Sequence, residues 1–242
     1  MSQEHESPPR RRNKLLAGLP ASEWRQLQPH LEPVALTHKH VFYEPGQPIP
    51  YVHFVTRGVA SLLAILDDGE AVEVSTIGHE GMVGLPLFLG SVTTPGRSIM
   101  QVPGEGLRMS AEVFTREVRP GTALHARLHL YTQALMIQMA QSLACNRLHS
   151  IEQRCARWLL MTQDRAGSNG FALTQEFLAQ MLGVRRAGVS EVASSLQKQG
   201  MIHYRRGQIT VLDRIGLEAR ACACYGIIAD EYDRLLGNHL PH

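Results

Sequence analysis

Apolar residues recur at helical spacing twice in quick succession, on either side of Gly183. Phe177, Leu178, Met181 and Leu182 make the first stripe; Val189, Val192, Ala193 and Leu196 make the second. Thr174 stands at the N-cap of the first, and Glu176 lies in its first turn, where the helix dipole favours a carboxylate. Lys198 and then Gly200 close the second. Ala179 is small where the two helices must approach, Gly183 supplies the sharp turn, and Val189 anchors the second helix. This pattern predicts a helix-turn-helix, which lays its second helix in the DNA major groove. Met201-Ile202 and residues 204–211 then read as a hairpin with a basic tip, a wing able to touch phosphate.

The rest of the chain divides by the same pattern. Residues 1–14 are polar and basic and predict a disordered basic tail, with assistance to DNA binding by Arg10–Arg12 as the alternative reading. Leu15, Leu16, Leu19, Trp24, Leu27 and Leu31 predict a short helical stretch broken near Pro20. Between residues 34 and 110 the pattern changes to short strands at 34–43, 51–56, 59–66, 71–77, 97–102 and 107–109. Glu44-Pro45-Gly46, Arg57-Gly58, Asp67-Asp68-Gly69 and Pro103-Gly104 are the turn signals between them. Such spacing predicts a sandwich or barrel. A short helix is expected within 79–89 and another at 111–119, before Pro120-Gly121. A long helix follows at 122–148. Leu124, Leu128, Tyr131 and Leu135 form one stripe, and Leu130, Ala134, Ile137 and Met139 widen the apolar surface. A helix apolar on two sides needs two covers: the β-rich domain and a second copy of the chain, the latter assigned to Leu124, Leu128, Tyr131 and Leu135. Residues 149–163 predict a further helix, 164–169 a loop, and 215–236 a mostly helical tail.

Composition bounds this picture. With 242 residues and 44% hydrophobic content, the chain is an ordinary globular protein of one large or two modest domains. Its net charge of +2 is uneven. Residues 150–214 hold nine Lys and Arg against five Asp and Glu, so the positive excess falls on the helix-turn-helix, as a nucleic-acid partner requires. Four unevenly spaced cysteines imply no disulfide framework. The polar start is not followed by an apolar run, and no stretch approaches membrane-spanning length. A cytoplasmic protein with reduced thiols and no membrane partner is expected.

The order β-rich domain, long helix, winged helix-turn-helix resembles the Crp/Fnr family of bacterial transcription regulators over roughly residues 15–213. The residues that carry the resemblance are Thr174-Gln175-Glu176, Ala179, Gly183, Arg186 and Val189, and in the β-domain Tyr43-Glu44-Pro45-Gly46, Arg57-Gly58, Asp68-Gly69 and Gly81-Met82-Val83-Gly84. The resemblance implies an α+β chain: a cyclic-nucleotide-binding-like β-roll at 15–120, a dimerisation helix at 121–148, and a winged helix-turn-helix domain with a C-terminal helix at 149–242. It also implies a homodimer on pseudo-palindromic double-stranded DNA, with RNA polymerase as a further partner. Thr174, Gln175, Arg185, Arg186, Gly188, Val189, Ser190, Arg205 and Arg206 are then the DNA-binding residues. The ligand pocket that the resemblance implies comprises Gly84, Leu85, Arg97, Ser98 and Met139.

The chain departs from that family where ligand chemistry sits. Family members that bind cyclic AMP carry Gly-Glu-Leu, whose carboxylate holds the ribose, and then Arg-Ser or Arg-Thr for the phosphate. Here Gly84-Leu85-Pro86 lacks the carboxylate, while Arg97-Ser98 stands where the second element falls. Met139 and Ala140 replace hydroxyl residues on the long helix. The half-present site predicts a different small-molecule effector or none. In the recognition helix Ala187 and Glu191 depart from the family's pattern around Arg186, so a different DNA sequence is expected. No N-terminal cysteine cluster supports an iron–sulfur centre. Cys222-Ala-Cys224 alone assigns no metal. His38, His40, His53 and His79 as single histidines assign no haem, and no catalytic constellation is found. A ligand-binding module whose helix-turn-helix serves protein contact is the alternative to a DNA-binding regulator.

Overall fold

The structure, a computed structural model, describes residues 9–237 except 68. Residues 1–8 of the expected tail lie outside it. From Pro9 the chain is ordered into α1 (Pro9–Arg12) and α2 (Lys14–Ala17), contrary to a disordered tail running to residue 14. The reason is Asn13. It is fully buried, caps α2 by accepting from Leu15 and Leu16 N–H, and donates its amide to Val55 O and Gly81 O, both at 2.8 Å. Arg10 and Arg12 are likewise turned to the protein. Arg10 lies over the Trp24 ring and donates to Leu16 O and Leu19 O, and Arg12 pairs with Glu105 at 3.6 Å. Neither is placed to assist DNA binding. Next come α3 (Ala21–Leu27) and a 3-10 turn (Gln28–His30).

The β-domain is one antiparallel sheet of β1 (Glu32–Leu36), β2 (Val41–Tyr43), β3 (Tyr51–Ile65), β4 (Ala71–Ile77), β5 (Met82–Val83) and β6 (Arg97–Ser110). Its main path runs β1-β6-β3-β4, with β2 also on β6 and β5 also on β3. Two expected turns are not turns. Arg57-Gly58 and Pro103-Gly104 lie inside the long strands β3 and β6, opposite one another at a register shift where Arg57 faces Glu105 and Val59 faces Val102. Both strands bend together there, with Gly58 at φ +93°, so turn residues mark a bulge pair rather than chain reversals. The short α4 (Leu85–Phe88) and α5 (Ala111–Glu117) close the roll.

The long helix α6 (Ala123–Leu148) starts at Thr122, whose hydroxyl accepts from His125 N–H. The Glu23 carboxylate accepts from Ala123 N and Leu124 N at 2.7 Å, a negative charge at the positive end of the helix. Leu124, Leu128, Tyr131 and Leu135 are 0–2% exposed within a single chain, and Tyr131 donates its hydroxyl to Met82 O. This corrects the assignment of those four residues to a dimer interface. They are the stripe that covers the β-roll, because they face the apolar interior of the sheet. The outward side carries instead His129, Gln133, Met136, Ala140, Leu143 and Arg147, all exposed.

After Ser150, which makes a capping box with Gln153, come α7 (Ile151–Ala166), β7 (Gly170–Ala172), α8 (Gln175–Leu182), α9 (Arg186–Lys198), β8 (Ile202–Arg205) and β9 (Gln208–Val211). Strand β7 falls just after the predicted loop and pairs with β9, making the wing a three-stranded sheet. The tail splits into α10 (Arg214–Arg220), against α7, and α11 (Cys224–Leu236), against α6. A buried ion pair also joins the two halves of the chain. Arg165 on α7 meets Glu80 at 2.6 Å and donates to Thr76 Oγ1 and Gln138 Oε1, both at 2.9 Å.

Candidate nucleic-acid interface and effector pocket

Helix α8 begins as its sequence dictates, with the Thr174 hydroxyl accepting from Phe177 N–H at 3.1 Å. It ends at Gly183, which takes φ +61°, a left-handed conformation that turns the chain sharply into α9. Leu178, Ala179, Met181 and Leu182 face inward with Val189, Ala193 and Leu196 of α9, and these two stripes fix how the helices cross. Arg154 of α7 donates to Leu182 O and so satisfies one of the free carbonyls at the end of α8.

The outward surface of α9 is set by what the inward stripe leaves out. Arg185, at its N-cap, and Arg186, its first residue, are both exposed. Arg205 and Arg206 are exposed at the wing tip, where Arg206 and Gly207 take φ +51° and +73° to close the hairpin. Among the described residues no side-chain hydrogen bond or ion pair engages any of these four arginines. Thr174 is exposed, and Gln175 is half-buried with its amide oxygen accepting from the Ser190 hydroxyl at 2.7 Å. These two polar side chains thus sit together between the helices.

Two expected contact residues are placed otherwise. Val189 is fully buried and is a packing anchor only, so it cannot touch a ligand. Gly188 is half-buried, and a Cβ there would stand 3.3 Å from the Ile151 side chain, so its smallness serves the α7–α9 contact. Sequence reading passed over Ser194 and Lys198, which with Ala187 and Glu191 make the exposed stripe of α9. Their i, i+4, i+7, i+11 spacing was the available signal.

In the β-roll, Gly84, Leu85, Arg97 and Met139 do line one cavity of about 250 Å³, together with Leu62, Leu63, Val74, Ile77, Met82 and Leu135 among others. Its walls are mostly apolar. Ser98 is not among the lining residues. It is fully buried, and its hydroxyl donates to Ser61 O at 3.1 Å within the sheet. Arg97 is already engaged, its Nε lying 2.6 Å from the Glu44 carboxylate. A phosphate at Arg97 would meet the negative charge of that carboxylate beside it.

Residues 153–220 match the family model of the Crp-like helix-turn-helix domain. The carboxyl-terminal unit is a Crp-like helix-turn-helix domain. No curated protein matches the chain. Among solved structures, FixK2 from Bradyrhizobium japonicum is 17% identical, with 80% of this chain and 98% of that one covered at a TM-score of 0.67. A putative Crp/Fnr-family transcriptional regulator from Eubacterium rectale is 18% identical, with 85% and 96% covered and a TM-score of 0.62. The c-di-GMP-responsive global regulator CLP of Xanthomonas campestris is 19% identical, with 79% and 99% covered and a TM-score of 0.60. At these identities the likeness is one of fold. The chain has the architecture of a Crp/Fnr-type transcription regulator: β-roll, long helix and Crp-like helix-turn-helix domain.

Proposed function

We propose that this protein is a sequence-specific DNA-binding transcription regulator that works as a homodimer, with one α9 in the major groove of each half-site. The observation that carries this reading is the set of four exposed, unpaired arginines on one small unit, two at the start of the recognition helix and two at the wing tip. Guanidinium groups free of internal partners are suited to base edges and phosphates. The positive N-terminal end of α9 adds to their field. Among the described residues no helix is long and apolar enough to cross a membrane. A DNA-binding regulator of this architecture works in the cytoplasm, with RNA polymerase as its further partner.

The second copy belongs on the outward side of α6. His129, Gln133, Met136, Ala140, Leu143 and Arg147 recur at alternating spacings of four and three, the 3.5-residue period of a coiled-coil seam. Met136 and Leu143 are 64% and 74% exposed in the single chain. Two-fold pairing along this seam would cover them and set the two recognition helices on one side. The β-roll cavity suits a mainly apolar effector rather than cyclic AMP, because Glu44 holds Arg97 and Leu85-Pro86 offers no carboxylate to a ribose.

The test is selection of bound duplexes from a random pool, followed by titration of the selected site at several salt concentrations. Recovery of a pseudo-palindrome, bound with a steep salt dependence, is expected. Failure to bind any duplex at low salt would favour the reading in which the helix-turn-helix serves protein contact.

A further inference from the structure

The carboxyl end of the long helix gathers four side chains that the DNA-binding reading does not use. Cys145 lies in the last turn of α6, and His149 is the residue that caps it. Cys222 lies in the turn between α10 and α11, and Cys224 is the first residue of α11. Their ligating atoms all lie within 4.8 Å of one another. Cys145 Sγ stands 3.4 Å from Cys222 Sγ, and Cys224 Sγ stands 3.7 Å from His149 Nδ1. We propose that Cys145, His149, Cys222 and Cys224 form a closed, four-coordinate site for a zinc-class divalent ion.

The ligand set and the distances both point to a single ion. Three thiolates and one imidazole make a Cys₃His set, typical of structural zinc. With metal–sulfur bonds of about 2.3 Å and metal–nitrogen bonds of about 2.0 Å, a tetrahedron puts its ligand atoms roughly 3.5–3.8 Å apart. The Cys145–Cys222 sulfur pair is somewhat closer than two thiolates on one zinc, and the Cys224–His149 pair slightly wider than a thiolate and an imidazole, so small side-chain shifts would close the set around one ion. An iron–sulfur cluster would need the sulfurs held further apart to admit several irons and bridging sulfides. The three thiols are 0–5% exposed and form a small cluster of their own, so water has little access to the ion.

The charge balance also fits. A divalent ion with three thiolates carries one net negative charge. Arg154 and Arg157 on α7 are both 7% exposed and lie close enough to Cys145 for a charge there to act on them. The Nε of each lacks a hydrogen-bond partner among the described residues. Two buried guanidiniums with spare donors are a suitable outer shell for an anionic thiolate centre. The sequence hid the site because Cys145 and His149 are an i, i+4 pair far from Cys222-Ala-Cys224, and only the packing of α11 along α6 brings them together.

The position gives the site a consequence. His149 and Ser150 alone separate α6 from α7, so the ion would tie this junction to the α10–α11 turn. It would hold the Crp-like helix-turn-helix domain at one angle to the long helix.

The experiment is metal analysis and cobalt substitution on the full chain, purified without a histidine tag or chelator. About one equivalent of zinc per chain is expected, together with the thiolate charge-transfer and tetrahedral d–d bands of the cobalt form. Cys224→Ser should lose the bound metal. Cys155→Ser, at a buried thiol outside the cluster, should keep it. Should a cysteine variant fail to fold, His149→Gln, at a half-buried helix end, tests the same site by weakened zinc retention and altered cobalt bands. A metal-free wild type whose cobalt titration gives no thiolate bands would overturn the proposal. So would equal metal loss in Cys155→Ser and Cys224→Ser, or a Cys145–Cys222 disulfide found in place of metal in zinc-replete medium. None of these readouts involves DNA, so the site and the DNA-binding reading stand or fall separately.

Discussion

The Trp158 indole on α7 donates a hydrogen bond to Glu73 Oε1 on β4 at 2.9 Å, joining the β-roll to the first helix of the DNA-binding unit. The other carboxylate oxygen of Glu73 lies 2.7 Å from the Ser61 hydroxyl. Burial pushes the Glu73 carboxyl up to about 7, against the pull of these two hydrogen bonds and of Arg157 and Arg165. A raised carboxyl contributes stability that is fully present below the unfolded value of about 4.3 and is lost as pH rises through about 7. His53 works in the opposite sense: burial, then His40 and Arg108, lower it to about 3, so its contribution is lost as pH falls below about 6.5. The two trends overlap in acid, and a difference measurement separates them. Glu73→Gln keeps an acceptor for Trp158 and cannot ionise. Relative to this variant, the wild type should lose stability between pH 5 and 7. Denaturant melts of both proteins across that window check it, and parallel curves would show that Glu73 is ionised throughout.

The dimer seam gives a pair of contrasting outcomes. Met136→Glu with Leu143→Glu alters two exposed positions, so the chain should stay folded and sediment as a monomer at micromolar concentration. Full burial of each such side chain contributes about 1.5–3 kcal/mol, and a buried glutamate costs more again. Leu128→Glu should instead unfold the β-roll, because Leu128 is fully buried within one chain. A folded monomer from Leu128→Glu, or an intact dimer from the double variant, would contradict the seam.

The contrast shows what the sequence made legible. The helix-turn-helix could be read almost residue by residue, because its cap at Thr174, its turn at Gly183 and its anchor at Val189 are local requirements. The face of α6 could not. Its apolar stripes were visible, but deciding which one meets the sheet needs the position of the sheet. The bulges at Gly58 and Gly104 were misread for a related reason: the same residues suit a chain reversal and a paired bend, and only the cross-strand register separates these. Asn13 gave no signal at all. Its role comes from two carbonyls, Val55 and Gly81, distant in sequence.

Effector binding in the β-roll should not follow the cyclic-AMP pattern. Replacing Arg97 with Leu in a cyclic-AMP site would remove a charged hydrogen bond contributing about 1.5–3 kcal/mol, but here the Glu44 carboxylate already pairs with the Nε of that guanidinium and offsets its charge. Calorimetry should therefore find no micromolar site for cyclic AMP. Glu44→Gln frees Arg97 and should strengthen any residual binding about ten- to a hundred-fold. A micromolar site in the wild type would mean that the Arg97–Glu44 pair opens readily.

Arg186 and Arg205 test the DNA interface in different ways, because a base edge and a phosphate respond differently to loss of a guanidinium. Arg186 sits in the first turn of α9, the part of a recognition helix that reaches base edges, where Arg most often reads guanine through O6 and N7. Arg186→Ala should cost about 1–3 kcal/mol on the selected site and relax preference at one base pair in each half-site. Arg205 lies at the wing tip, suited to phosphate, which positions a protein without reading sequence. Arg205→Ala should weaken all duplexes alike and lower the salt slope by about one. Both side chains are exposed and unpaired, so neither change should disturb folding, and loss of binding can be read as loss of contact. Fluorescence anisotropy on the selected duplex and a scrambled one, each at several salt concentrations, separates the two behaviours. If Arg186→Ala left both affinity and sequence preference unchanged, α9 would not be the helix that reads the bases. A purely uniform loss from Arg186→Ala would move that residue from base to phosphate.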